Sequence, residues 1–372
     1  MGPSSRAPLR AAFITSTPLN VREGSGTFVG IATLADALRG MGVQVDLIAP
    51  AKRLPILTAG RLLFNASLAR RRWDDYDVTV GFDLDGYRIA GPSVPGHRPR
   101  HVAAIKGVIA DEMRFERGLT RATMSWQAQW EARHVQRADR VITTSRYSAE
   151  RLKQLYGVSR EPCVVPEMID LSAWREVLRQ ESRAPDPARF VVLCVCRLYR
   201  RKRIDLLLRA AAELRARIPR FELRIAGEGP ELNTLKRLWR SLQLGPAVQW
   251  LGTLDRRELA REYGRCDVFC LPSVQEGFGI VFLEAMAASR PIVAARAAAA
   301  PEVVPHALLV EPESYGGLAE ALETLYRRPD LRRSIAATGA ALVEQYDAPR
   351  VAGVFLAELE RLAKRVTVAQ GA

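Results

Sequence analysis

Short apolar runs alternate along the chain with stretches in which leucine, isoleucine and alanine recur at three- and four-residue intervals. In the first half, LRAAFITS predicts a strand, and GSGTFVG opens a helix that runs through IATLADALRGMG. VQVDLIAP, DVTVGF and HVAAIKG read as strands, and TMSWQAQWEARHVQRA as a long helix. VITTS is a strand, SAERLKQLYG a helix closed by glycine, and CVVP a further strand. The polar, proline-bearing segment ESRAPDPAR, residues 181–189, reads as a linker.

After it the alternation restarts. RFVVLCVCR, FELRIAGEG, VQWLG, VFCLP and PIVAA are strands, separated by IDLLLRAAAELRARI, PELNTLKRLWRSL, RRELAREYGRC and IVFLEAMAA as helices. APRVAGVFLAELERLAKRV is a terminal amphipathic helix. Strands alternating with helices imply parallel sheets with helices on both faces. The expected organisation is α/β: a doubly wound domain over 1–180, the linker, and a second over 190–347, with the helix at about 348–366 packing back near the first. Such sheets bind ligands at the carboxyl ends of their strands.

Candidate chemistry concentrates in EGFGIVFLEAMA, residues 276–287. On one uninterrupted helix Glu276 and Glu284 would sit ~80° and two turns apart, too far to share a small ligand. If Glu276 lies on a loop leading into the helix, both carboxylates approach the same end, where orphan backbone N–H groups attract anions. Arg197 follows an apolar strand in CRLYRRKRID, and Lys202 stands at the next helix start. The two suit a diphosphate, and the same crowding of arginines suits a solvated basic turn. GSGTFVG at 24–30 lets a backbone approach a phosphate or sugar, or simply makes a tight turn. GEGPE at 227–231 is by itself a structural strand-to-helix junction.

The 372 residues exceed one ordinary core and suit two domains. No run of 18 uncharged apolar residues is present, so no helix is expected to span a membrane. MGPSSRAPLR lacks the apolar core of a signal peptide, which makes a cytoplasmic location the default. The five cysteines form no C-x-x-C pair, so buried free thiols are expected rather than a zinc site or disulfides. A net charge of +14 points to a polyanion. Since no nucleic-acid motif accompanies it, an anionic membrane surface is the favoured partner over nucleic acid. ILTAGRLLFNASLARRRW at 56–73, with Arg70, Arg71 and Arg72 at its end, is either a domain helix with a solvated end or a surface helix for lipid headgroups. The histidines (His97, His101, His134, His306) show no spacing that argues for a catalytic pair.

Taken together, LPSVQEGFGIVFLEAMAASRPIVA, CRLYRRKRIDLLLRA, LRIAGEGPELNTL, VQWLGTL and PEVV in the second half resemble glycosyltransferase family 4, the retaining group 1 transferases of GT-B fold. ADRVITTSRYSAERLKQLYGV, CVVPEMIDL and GSGTFVGIATLADALRGMG in the first half carry the same resemblance. It implies two Rossmann-like domains facing each other across a cleft, and a hexose-type sugar moved from a nucleotide-sugar to a glycan, lipid-linked or small-molecule acceptor. Glu284 would hold the ribose hydroxyls and Glu276 those of the transferred sugar. The amides of Phe278, Gly279 and Ile280, with Arg197 and Lys202, would take the diphosphate, and Gly24, Gly26 and Gly227 would line the donor site. Catalysis would fall to Arg197, Lys202, Glu276 and Lys106, with no cofactor and no metal. An alternative is a catalytically degenerate member kept as a nucleotide-sugar-binding or scaffolding partner. A second enzyme reading makes Asp83 and Asp85 of FDLDG a divalent-metal site, although polar turns commonly carry such aspartates. Three departures stand out: Lys106 replaces the family's usual histidine, Ala298-Ala299 its Gly-Gly, and Glu167-Met168 its Asn-Gly.

Overall fold

The structure is a computed structural model that describes residues 8–18, 21–51, 57–91, 99–181 and 183–369, with backbone alone at 21–25, 57 and 364–369. The chain divides into two compact units, Met1–Glu167 with Ala348–Ala372, and Met168–Asp347.

The first unit is built on six parallel strands in the order β2-β1-β3-β4-β5-β6. These are β1 (Arg10–Ile14), β2 (Gln44–Ile48), β3 (Val78–Phe82), β4 (Arg100–Ile105), β5 (Arg140–Thr143) and β6 (Cys163–Val164). Central β3 is buried at every residue, while edge strand β2 alternates, as a sheet covered on both faces requires. Its helices are α1 (Val21–Gly40), α2 (Leu57–Leu68), α3 (Ile109–Glu112), α4 (Gly118–Arg137) and α5 (Arg146–Tyr156). Ser145 caps α5 by accepting the Ser148 amide at 3.0 Å, and Gly157, at φ +62°, ends it in the left-handed conformation that glycine adopts without penalty.

The second unit repeats the plan with the order β12-β11-β10-β7-β8-β9. In chain order it holds α6 (Leu171–Glu181), β7 (Phe190–Val195), α7 (Ile204–Arg217), β8 (Phe221–Ala226), α8 (Leu232–Ser241), β9 (Val248–Gly252) and α9 (Arg256–Arg265). There follow β10 (Val268–Leu271), α10 (Ile280–Ala287), β11 (Ile292–Ala295), α11 (Ala300–Val303), β12 (Leu308–Val310), α12 (Tyr315–Arg327) and α13 (Pro329–Leu342). Helix α14 (Ala348–Ala369) belongs to the first unit, where Phe355 meets the Phe13 ring edge-on at 6.2 Å.

Two details differ from the sequence expectation. The break between units falls at Glu167/Met168 rather than in residues 181–189. Helix α6 belongs to the second unit because Trp174 packs against Tyr263 at 6.0 Å and donates its indole N–H to the Glu284 carbonyl at 3.3 Å. The 181–189 segment therefore connects α6 to β7 inside that unit (Ser182 lies outside the described residues). Helix α1 starts at Val21, so Gly24 and Gly26 lie in its first two turns and not on a turn before it. PEVV lies largely in α11, whose proline stands in the first turn, where its missing N–H is no loss.

Candidate active site

In each sheet the strand order reverses once, between β7 and β10 in the second unit and between β1 and β3 in the first. Loops leaving the carboxyl ends of strands at such a point diverge and leave room for a ligand. The sequence-predicted residues collect at these two places.

In the second unit, the loop after β7 is stitched to the loop after β8. Cys196 N–H donates to Ala226 O at 3.1 Å, Leu198 N–H to Glu228 O at 3.0 Å, and Glu231 N–H returns to Leu198 O at 3.0 Å. Gly227 makes this approach possible: it sits at φ +125°, and a Cβ there would overlap the Cys196 carbonyl. Its direct task is to seat the segment that carries Arg197, which is half-buried.

A single 3-10 turn, Arg200–Lys202, follows. Arg200, exposed, pairs with Glu231 at 3.5 Å, and the mostly buried Arg203 pairs with Asp205 at 3.1 Å and with Glu313, so both are engaged in local ion pairs. Lys202 turns inward, its side chain 11% exposed, and forms an ion pair with Glu276, 10% exposed.

Glu276 lies on the loop between β10 and α10, ahead of the helix, which settles the geometry of the glutamate pair. The loop is anchored by the Val274 N–H donating to Arg201 O at 2.9 Å. Phe278 is buried edge-on against Tyr346, with ring centres 5.5 Å apart. Gly279 caps α10 at φ +91°; a Cβ there would stand 2.7 Å from the Phe282 ring. Helix α10 then begins at Ile280, and the first N–H groups of a helix have no partner within it. Cation, carboxylate and amide dipoles therefore meet at one helix N-terminus, an arrangement suited to an anion flanked by hydroxyls. Ser273 Oγ and Gln275 Oε1, buried in this loop, have no hydrogen-bond partner among the described residues.

Glu284 sits in the second turn of α10 and accepts the Tyr263 hydroxyl at 3.0 Å. Burial pushes its carboxyl up to about 7, the Tyr263 bond opposing. Nearby, Ala298 holds φ +50°, a left-handed backbone that favours glycine, and Ala299 is fully buried.

In the first unit, the loops after β1, β3 and β4 are joined by the two aspartates of FDLDG. Asp85 Oδ2 accepts both the amide and the hydroxyl of Ser16 at 2.6 Å, and its Oδ1 accepts Asn65 Nδ2 at 2.9 Å. Asp83 Oδ1 accepts the Lys106 amide at 2.8 Å. The pair thus ties loops together instead of converging on one point. No group of three histidine, cysteine, aspartate or glutamate side chains suited to a metal ion occurs among the described residues. Lys106 Nζ bonds Glu167 Oε2 at 2.9 Å.

Beneath these loops lies a feature that sequence spacing gave no reason to expect. His101 and His134 are hydrogen-bonded Nε2 to Nε2 at 2.7 Å, fully enclosed. His134 Nδ1 faces the Asp83 carbonyl at 2.6 Å and must donate. In a neutral ring its Nε2 then accepts from His101, whose Nδ1 accepts the Thr79 hydroxyl at 2.8 Å. Burial lowers both rings, His134 to about 4, so the relay is neutral. The two residues stand 33 apart, on β4 and α4; only the fold reveals the pair. His97 lies outside the described residues.

The basic segment beside α2 is exposed at Arg70, Arg71 and Arg72, and Leu63 on the helix is 61% exposed, while Phe64, Leu68 and Trp73 are buried. Ile56, at the start of the predicted stretch, is outside the described residues. No described helix is long and apolar enough to cross a membrane.

Two doubly wound units with ligand-competent strand ends define an α/β fold of GT-B type. It is matched by a sucrose-phosphate synthase from Thermosynechococcus elongatus at TM-score 0.79, with 20% identity over 97% of this chain and 100% of that one. The family model for Glycosyltransferase Family 4 covers residues 24–173 and that for Glycosyl transferases group 1 covers 175–341, so the chain belongs to the group 1 glycosyltransferases of family 4. It is 36% identical over 180 residues to a GDP-mannose-dependent alpha-(1-6)-phosphatidylinositol monomannoside mannosyltransferase of Mycolicibacterium smegmatis, covering 45% of this chain and 47% of that protein. It is 31% identical over 237 residues to a D-inositol 3-phosphate glycosyltransferase of Pseudarthrobacter chlorophenolicus, covering 61% and 56%. The matched stretches thus span about half the length of these relatives.

Proposed function

We propose that the chain is a retaining, metal-independent glycosyltransferase that moves a hexose-type sugar from a nucleotide-sugar to a lipid-linked or membrane-proximal acceptor. The observation that carries this reading is the meeting of Lys202, Glu276 and the α10 N-terminus at the β7/β10 reversal. In that role the Phe278, Gly279 and Ile280 amides receive the diphosphate together with Arg197 and Lys202. Glu276 accepts from hydroxyls of the transferred sugar, and Glu284, steadied by Tyr263, from those of the ribose. As the glycosidic bond breaks, charge develops on the leaving diphosphate. Fixed cations and amides bind it more strongly in the transition state than in the ground state. The relatives' names make GDP-mannose the first donor to try and an inositol-bearing molecule the first acceptor. Arg70–Arg72 beside the exposed Leu63 support a peripheral position on anionic lipid, on the cytoplasmic face.

The test is thermal melting with a panel of nucleoside diphosphates, each with magnesium and with chelator. A rise of several degrees for one base, unchanged by chelator, is expected of a ligand that binds only the folded state. A rise that needs magnesium overturns the metal-independent mechanism, and no rise with any base overturns the donor site. Removing Arg197 or Glu284 abolishes the shift; unchanged affinity in both variants removes the site assignment. Product NMR reads the anomeric configuration. Salt-sensitive retention on anionic liposomes, lost when Arg70–Arg72 are neutralised, checks the membrane partner, and equal retention on neutral liposomes discards it.

A further inference from the structure

Two of the three departures from the family pattern are partners in space. Lys106, in the loop after β4, and Glu167, in the loop after β6, form one ion pair with side chains 10% and 5% exposed. The surroundings are arranged around it. The Asp83 carboxylate receives the amides of Lys106 and Gly107 at 2.8 and 3.4 Å, fixing the lysine backbone. The Lys106 ammonium lies 5.9 Å from the centre of the Phe82 ring. Gly30, in the middle of α1, leaves room for the carboxylate, because a Cβ there would stand 2.5 Å from Glu167 Oε2.

Stability alone does not account for this arrangement. A buried ion pair is commonly no better for folding than apolar residues of the same volume. A glycine in mid-helix is worse than alanine. Two unfavourable choices converge on the carboxyl end of a doubly wound sheet, the edge where such sheets place ligands. Departures from local preference that meet at one point are a mark of function.

We propose that Glu167 is a positioning residue for Lys106. It takes one of the three N–H donors of the ammonium and holds the other two for an oxygen of the substrate, a hydroxyl or a phosphoryl oxygen. This rests on the reading that Lys106 belongs to the transferase site. Gly30 completes the device by admitting the carboxylate beneath α1.

Two measurements on the full chain test it. The first is acetylation of lysines by an activated ester, followed by mass spectrometry, with the half-exposed Lys153 as internal reference. Glu167→Gln is expected to raise Lys106 labelling about tenfold relative to Lys153, the size of effect one charged hydrogen bond carries, at a temperature well below the melting transition of both parent and variant. Gly30→Ala, which pushes the carboxylate aside without removing it, moves labelling in the same direction. Unchanged labelling in both variants overturns the positioning role.

The second is nucleoside diphosphate release from GDP-mannose, with UDP-glucose in parallel. Glu167→Gln is expected to lower kcat about tenfold to hundredfold with KM nearly unchanged, since misplacing a reacting group acts on the chemical step. Glu167→Asp recovers part of the loss, and Lys106→Met/Glu167→Gln is no worse than Lys106→Met alone. Full turnover in Glu167→Gln beside an inactive Lys106→Met overturns the proposal and leaves the transferase reading intact. Full turnover in Lys106→Met removes Lys106 from the site and the proposal with it. If the parent turns over neither donor, the transferase reading loses support from these donors, and the labelling result alone decides whether Glu167 holds Lys106.

Discussion

Each unit carries a lysine–glutamate pair at the carboxyl edge of its sheet, Lys202–Glu276 in the second and Lys106–Glu167 in the first. Their burial is nearly the same and their settings differ. The Lys202–Glu276 pair follows β7 and β10, whose residues are apolar throughout, and in the same unit Tyr263 and Phe282 both pack on Phe269 of β10. The Lys106–Glu167 pair stands beside two polar groups, Asp85 bonded to Asn65, and a chain from the Asp83 carbonyl through His134 and His101 to Thr79. An apolar foundation tolerates change one side chain at a time, whereas a polar network holds only while every member is satisfied. Behind loops held by backbone hydrogen bonds, the second unit is therefore backed by apolar packing and the first by buried side-chain hydrogen bonds.

The sharpest way to break this comparison is to remove one lysine at a time. Lys202→Met and Lys106→Met each leave a carboxylate buried without its partner, and each is expected to lose about 3 kcal/mol in denaturant unfolding. Replacing both members, as in Lys202→Met/Glu276→Leu, regains most of the loss in the second unit. The matching Lys106→Met/Glu167→Leu change regains less if the polar network governs the first, and equal recovery in the two units would erase the distinction.

Core truncation gives a similar loss without touching either pair. Phe355→Ala and Phe282→Ala, both at buried positions, are each expected to lose about 3 kcal/mol. Hydrogen exchange should place the first loss in residues 8–167 together with α14 and the second in 168–347. Loss of protection spread evenly over both units would show that they do not open separately.

Acidity sharpens the contrast at a smaller scale. Burial raises Glu284 from 4.5 to about 7, so the folded second unit holds that proton more tightly than the unfolded chain does. Stability contributed there is present below pH about 4.5 and is lost as pH rises to about 7. In the first unit the shifts oppose: burial raises Asp83 to about 6 and lowers His134 to about 4. Between pH 4.5 and 6.5 its stability should therefore be flatter. Unfolding followed at several pH values checks both, and Glu284→Gln should remove the slope assigned to the second unit. Donor-induced stabilisation should also grow from pH 6 to 8 in the parent more than in Glu284→Gln.

The smallest effect is local. Ala298 occupies a left-handed backbone, so Ala298→Gly should stabilise the second unit by about 0.5 kcal/mol, the reverse of the usual result of adding a glycine. A loss on melting would mean that the buried neighbour Ala299 and α11 need the methyl group.

The same contrast explains what could be read from the chain. The alternation of apolar strands and amphipathic helices carried both sheets, because burial on two faces leaves a continuous apolar signature. Glu276, Gly279 and Glu284 were legible because loop, cap and helix are consecutive, so their spacing encodes their geometry. Glu167, Tyr263 and the His101–His134 pair were not, since each acquires its partner across a distant part of the chain. Asp83 and Asp85 resembled a metal motif because a loop-tying aspartate and a ligand aspartate look alike until the donors they accept from are seen. The unit boundary was misplaced for a related reason: proline and charge mark an exposed turn, but the contacts of Trp174 decide which unit owns α6.

Helix α14 carries a consequence for how the molecule is made. Its residues Val351, Phe355 and Leu359 are buried against the first unit, although they are translated after the second. At ordinary elongation rates the 180 residues from 168 to 347 take roughly 10–40 s to emerge, and throughout that interval the earlier unit waits for its last helix. The first unit thus spends that time with the apolar positions that α14 covers still open, although it is the unit encoded first.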